Sequence, residues 1–134
     1  MAKKAEESVQ IADLAVIGMQ EKKAKNIVKI DLRQLGSAVA DFFVICHGDS
    51  DRQVEAISDS VIDVVRESMK EKPFSKEGYQ QAEWILLDYI NVVVHVFKRD
   101  IRQFYGIEDL WGDGVLTKYG EWETEPSEEF EDQD

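Results

Sequence analysis

The sequence predicts an α/β domain: a mixed β-sheet of about five strands flanked by helices. Three observations carry this. Two amphipathic helical stretches alternate with strand-like runs. The run Asp41 to His47 (DFFVICH) is apolar at both parities, as in a strand covered on both faces. The runs Trp84–Tyr89 and Val92–Phe97 meet at the two-residue turn Ile90-Asn91, as in an antiparallel hairpin.

The elements follow in order. From about Ala5 to Lys23, Val9, Ala12, Val16 and Met19 share one stripe, widened by Ile11, Leu14 and Ala15. Lys22, Lys23 and Lys25 suit the negative end of that helix. Gly18 weakens it locally. Asn26 to Arg33 alternates, with Val28, Ile30 and Leu32 inward and Lys29, Asp31 and Arg33 on a wet face. After Asp41–His47, Gly48-Asp49-Ser50 turns the chain into a second helix. Asp49 or Ser50 caps it, and Ser50 with Gln53 has capping-box spacing. Val54, Ile57, Val61, Val64 and Val65 form its buried stripe, and Pro73 lies beyond its end. Phe74–Glu77 reads as a short strand before Gly78. In the hairpin turn, Asn91 is the residue expected at positive φ. Asp100–Tyr105 is a short helix ended by Gly106, and Ile107–Trp111 one amphipathic turn.

At 134 residues the chain suits one folded domain, residues 1–120, with a tail at 121–134. That tail carries eight acids and no base, out of a net charge of −12 for the chain, and is expected to be disordered. The body is then only mildly acidic. Acidic body and acidic tail both argue against direct readout of nucleic acid. The single cysteine, Cys46, forms no intrachain disulfide and reads as a small buried hydrophobe, which suits the reducing cytoplasm. No apolar run is long enough for a membrane span, and no secretory signal is evident.

Catalytic constellations are sparse. Gly48-Asp49 stands where α/β sheets bind ligands, but Asp49 and Asp51 repel phosphate there, and no glycine-rich phosphate loop occurs. A two-metal site needs paired strand carboxylates. Asp88 stands alone, with Ile90 where its partner would be. His47 and His95 have no zinc-binding spacing, so no metal or cofactor is expected. His95 reads as a core or interface histidine. Trp84, Tyr105, Leu110 and Trp111, with Arg102 beside them, are residue types that dominate interface energies.

Two blocks, Asp41–Asp59 (DFFVICHGDSDRQVEAISD) and Gly78–Trp111, match family patterns. The first is similar to D-x-x-x-I-C-x-G-x-S-x-x-x-V-x-x-I-x-D. The second is similar to G-x-x-x-A-(D/E)-W-I-x-x-D, a V-x-V-H-V strand and R-x-x-Y-x-(L/I)-E-x-L-W. On these motifs the chain resembles the ribosomal silencing factor, or Iojap, family over about residues 5–113. His47-Gly48-Asp49-Ser50 departs from the family's usual Thr-Gly-Thr-Ser, and Ile90-Asn91 from a turn that commonly contains Gly-Asp.

The resemblance implies a nucleotidyltransferase-like topology without catalytic carboxylates. It implies no enzymatic activity, and docking on the large ribosomal subunit through its fourteenth ribosomal protein, which blocks joining with the small subunit and so represses translation. Trp84, Arg102, Tyr105, Leu110 and Trp111 would form the contact surface, with Asp88 and His95 shaping it. Two rivals remain: a large-subunit assembly factor using the same surface, and an enzyme acting at Asp49, Asp51 and Asp88. The wide stripe of the first helix suits packing on the body or on a second copy, so a homodimer stays open.

Overall fold

The computed structural model describes residues 2–36, 39–110, 112–120 and 122, with the side chains of residues 2–5 and 110 left out. The chain folds as α1 (Ala2–Glu21), β1 (Lys25–Asp31), β2 (Phe42–Gly48), α2 (Asp51–Met69), β3 (Ser75–Glu77), β4 (Trp84–Asp88), β5 (Val92–Lys98), α3 (Arg99–Tyr105), α4 (Ile107–Leu110) and β6 (Val115–Tyr119). The six strands form one mixed sheet in the order β3-β4-β5-β2-β1-β6. Among the described residues, only β2 and β5 pair in parallel. No described helix is long and apolar enough to cross a membrane.

β2 is buried along its whole length, as its unbroken apolar run predicts. Alternation along β5 divides the interior in two. Val92, Val94 and Val96 face a large core beneath α1 and α2, joined by Val44, Cys46, Ile85 and Leu87. The opposite parity belongs to a smaller core of Val28, Ile30, Leu32, Phe43, Ile45 and Phe97. Ile101 of α3 and Ile107 of α4 pack on that second core. The helices therefore cover the two faces unequally. α1 and α2 roof the first, while the two short helices roof only part of the second.

Gly18 has a role its helix propensity conceals. A Cβ there would lie 2.7 Å from the Val61 Cα, so α1 and α2 meet backbone to backbone. Ser60 Oγ donates to the Gly18 carbonyl at 2.8 Å across the same contact. On α2, Ser50 is the N-cap and its side chain accepts from Gln53 N–H. The return bond differs from a standard capping box: Gln53 Oε1 accepts from Asp49 N–H at 2.8 Å, one residue upstream. Val64 is only partly buried, and Ser58 and Ser60 lie buried instead.

Other expectations need correcting. The Lys29 face of β1 is not simply wet. Ile27, of the same parity, lies in the α1–α2 core, and Lys29 Nζ reaches Asp13 of α1 at 2.9 Å. β6, which lies beyond the about five strands expected from the sequence, adds a sixth strand antiparallel to β1. It buries almost nothing, so no apolar pattern announces it. Gly114 admits it, since a Cβ there would sit 2.7 Å from Ile30 Cγ2. In the hairpin turn, Ile90 rather than Asn91 takes positive φ, at 76°. Left-handed backbone costs a non-glycine residue roughly 1–2 kcal/mol. Trp122, from the stretch expected to be tail, packs against the second core, so ordered contacts reach past residue 120. The rest of that stretch lies outside the described residues.

Replacing Gly18 by valine should force α1 from α2 and destabilise the fold by about 1–3 kcal/mol. Urea denaturation measures this. An unchanged midpoint would show that the helices have room to spare.

Candidate functional site

The part of the second sheet face left open by α3 and α4 carries a strip of side chains from β4 and β5. The register sets Trp84 opposite Phe97, Leu86 opposite His95, and Asp88 opposite Val93. Trp84, Leu86, Asp88 and Val93 are all partly exposed. Period-2 geometry, rather than any local motif, lines them up.

Trp84 anchors the strip. Its ring stacks on Phe97 with centroids 5.0 Å apart. Its indole N–H donates to His95 Nδ1 at 3.1 Å. From behind, the Gly78 loop fits so closely that a Cβ on Gly78 would lie 2.0 Å from the Trp84 carbonyl oxygen. Gly78 has φ of +90°, which glycine alone adopts readily. The tryptophan is thus locked in orientation while part of its surface stays accessible.

His95 is 2 % exposed and packs edge-on to Phe43 at 4.8 Å. Burial pushes its pKa down to about 4, so the ring is neutral at pH 7. Because Nδ1 accepts from Trp84, the neutral ring carries its proton on Nε2. That Nε2 is buried without a hydrogen-bond partner among the described residues.

α3 supplies the other wall. Tyr105 lies 4.7 Å from Trp84 and is 53 % exposed. Phe104, which the sequence reading passed over, is 78 % exposed and packs against Tyr105 at 5.1 Å. Its signal was available: an apolar residue off the buried stripe of a short helix. Gly106, at φ 54°, ends α3 by donating its N–H to the Arg102 carbonyl.

Arg102 is not placed as an exposed contact. It is 6 % exposed, and Nε and Nη2 donate to the two carboxylate oxygens of Glu108 at 2.7 and 2.9 Å. Nη1 donates to His47 Nδ1 at 3.0 Å and to the Lys25 carbonyl at 3.4 Å. Its guanidinium also faces the Trp122 ring at 5.2 Å. Arg102 therefore ties α3 to α4, β1 and β2. Trp111 and the side chain of Leu110 lie outside the described residues.

The catalytic alternative loses its geometry. Asp49 and Asp51 flank the end of β2 where Gly48 pairs with Lys98, and Asp88 sits at the other end of β5, opposite Val93. Five residues of strand separate those ends by roughly 17 Å. Asp49 is held by Lys25 at 3.1 Å, and Asp51 by Lys98 at 3.0 Å. Asp88 Oδ1 instead accepts from the Ile90 N–H at 2.7 Å. Among the described residues, no cluster of three histidine, cysteine or acidic residues could hold a metal. Cys46 is fully buried, and desolvation pushes its thiol up to about 12, far from a nucleophile's range.

The fold and this face define a mixed-sheet α/β domain that presents a rigid aromatic strip beside a short helix. The family model described as ribosomal silencing factor during starvation matches residues 5–134. The ribosomal silencing factor RsfS of Halalkalibacterium halodurans is 44% identical over 104 residues, covering 78% of this chain and 87% of the relative. A mouse protein, mitochondrial assembly of ribosomal large subunit protein 1, is 26% identical over 101 residues, covering 74% of this chain and 44% of the relative. A crystal structure of a Chromobacterium violaceum protein superposes with a TM-score of 0.72 at 31% identity, covering 90% of this chain and 96% of that one. The chain belongs to the ribosomal silencing factor family, which includes the Iojap proteins.

His95 makes stability depend on pH. Its pKa is about 4 folded against 6.5 unfolded, so between those values the unfolded chain binds a proton that the folded one refuses. Stability from this residue is complete above pH 6.5 and falls by about 3 kcal/mol as the pH drops to 4. Urea unfolding at pH 7 and 4.5 should therefore show a shallower acid loss for His95→Gln than for the wild type. Parallel losses would mean that His95 takes up its proton without cost.

Proposed function

We propose that the chain is a steric anti-association factor. Its aromatic face docks on the large ribosomal subunit through the fourteenth ribosomal protein, and its bulk keeps the small subunit from joining. No chemical step is needed. The observation that carries this is the Trp84–Tyr105–Phe104 strip, held in one geometry by the fold yet open to solvent.

Rigid aromatics suit this task. They contribute large contact area and lose little conformational entropy on binding. Trp84, Tyr105, Leu110 and Trp111 form the contact set, and Phe104 joins it. Arg102 acts one step back: with Glu108 it holds the end of α3, which carries Phe104 and Tyr105. His95 holds the indole, and Asp88 the turn at the far end of β4. Charge supports the choice of partner. A chain of net charge −12 favours a basic ribosomal protein and is repelled by rRNA phosphates. An interface of about 1,600 Å² in total is enough for stable docking.

Assembly of the large subunit is the second reading, favoured by the name of the mouse relative. It uses the same face.

In subunit joining in vitro, adding the protein should reduce the yield of joined ribosomes in proportion to its occupancy of large subunits. Unreduced joining at saturating protein would sink the anti-association reading. Trp84→Ala should lower affinity for large subunits by about 2 kcal/mol, or roughly thirtyfold. Co-sedimentation equal to the wild type would remove Trp84 from the interface.

A further inference from the structure

The two motif blocks end at Trp111, but residues beyond them close the clamp at Arg102. Lys118 of β6 pairs opposite Val28 of β1. Directly opposed residues share a face of the sheet, so Lys118 stands on the side of the second core, where Val28 lies. After Tyr119, Gly120 takes a φ of +72°, a left-handed conformation that glycine adopts without strain. Trp122 then packs on that same core. Two cations lie over its ring, the Arg102 guanidinium at 5.2 Å and Lys118 Nζ at 4.4 Å. Its Nε1–H is buried and meets no acceptor among the described residues, so no hydrogen bond there calls for an indole; the cations do.

The hydrogen bonds of Arg102 leave one need unmet. Nε and Nη2 donate to Glu108, and Nη1 to His47 and the Lys25 carbonyl. The N–H groups of a guanidinium lie in its plane, so these bonds fix its edge and leave its flat face to be covered by a ring. Trp122 supplies that cover. The Glu108 side chain is 22 % exposed, so water stands close to the pair. An ion pair opened to water holds its partners only weakly. Arg102 and Glu108 bracket Gly106, where α3 ends, and Phe104 and Tyr105 lie inside that bracket.

We propose that Trp122 is a positioning residue of the docking face. By covering the Arg102 guanidinium it keeps the Arg102–Glu108 pair dry, and so fixes the end of α3 that presents Phe104 and Tyr105. This deepens the docking function proposed above and rests on it. The aromatic strip is then built from both ends of the second face: the hairpin sets Trp84, and the segment after β6 sets α3.

The test uses the full chain as wild type, Trp122→Ala, Trp122→Phe, Trp84→Ala, Phe104→Ala/Tyr105→Ala, and that double variant with Trp122→Ala added. The first measurement is amide hydrogen exchange without a partner. The Gly106 N–H, bonded to the Arg102 carbonyl, should exchange roughly tenfold faster in Trp122→Ala, while amides of β2 and β5 keep wild-type protection. Unchanged exchange at Gly106 overturns the proposal. Loss of protection in β2 and β5 as well, or failure to fold, overturns it in favour of an ordinary core residue. The second measurement titrates each protein against purified bacterial large ribosomal subunits. Trp122→Ala should bind roughly fivefold more weakly, and Trp122→Phe, which keeps a flat ring, should bind as wild type. In the background lacking Phe104 and Tyr105, Trp122→Ala should weaken binding no further. An undiminished effect there overturns action through α3. If Trp84→Ala weakens binding and Trp122→Ala does not, only this inference falls. If Trp84→Ala binds as well as wild type, the docking reading itself falls, whatever Gly106 shows.

Discussion

The parallel pairing of β2 with β5 is the constraint on which the rest of the structure depends. It runs without slippage from Phe42–Val92 to Gly48–Lys98. Both strands are apolar at both parities, so the pair is stable only with cover on two sides. α1 and α2 supply one cover in full. The other is supplied by α3, which leaves directly from the end of β5, and by α4. Because those helices are short, they cover that face only in part: Tyr105 of α3 reaches Trp84, while Leu86, Asp88 and Val93 stay partly exposed. The open aromatic strip is thus a consequence of unequal roofing over one central strand pair.

Polar groups buried near that second core have a common logic. His47, His95 and Arg102 are nearly inaccessible, and each fixes something nearer the surface. His95 accepts from the indole of Trp84. Arg102 reaches His47 and Glu108, and so holds together the elements around α3. Desolvating a guanidinium is costly unless its donors are met. Here the Glu108 carboxylate, a ring nitrogen and a backbone carbonyl meet them. The gain is geometric: the aromatic strip is ordered by the fold itself, which lowers the ordering cost of the docking proposed above.

Much of this was legible in advance because it is local. The Ser50 cap, the Gly106 stop, the doubly buried β2 and the β4–β5 hairpin all rest on signals a few residues long. The misplaced features depend on distant partners. Lys29 looked solvent-facing because its counter-charge, Asp13, lies on another element. β6 was silent because it is defined by backbone bonds to β1 rather than by burial. Asn91 was the better turn residue by propensity, but the Asp88 carboxylate and the tie from Asp41 set the strain on Ile90 instead.

By itself the sequence determined the order of elements as far as α4, the hairpin, the acidic balance and the family, since these depend on periodicity, turn chemistry and motif spacing. It also singled out Trp84 and Tyr105, whose rings meet in the fold. Only the tertiary structure decided which aromatics face solvent, that Arg102 is an internal clamp, and that Asp49 and Asp88 stand at opposite ends of the sheet. Those outcomes turn on strand register and on how far each helix reaches across the sheet. No short window of sequence encodes either distance.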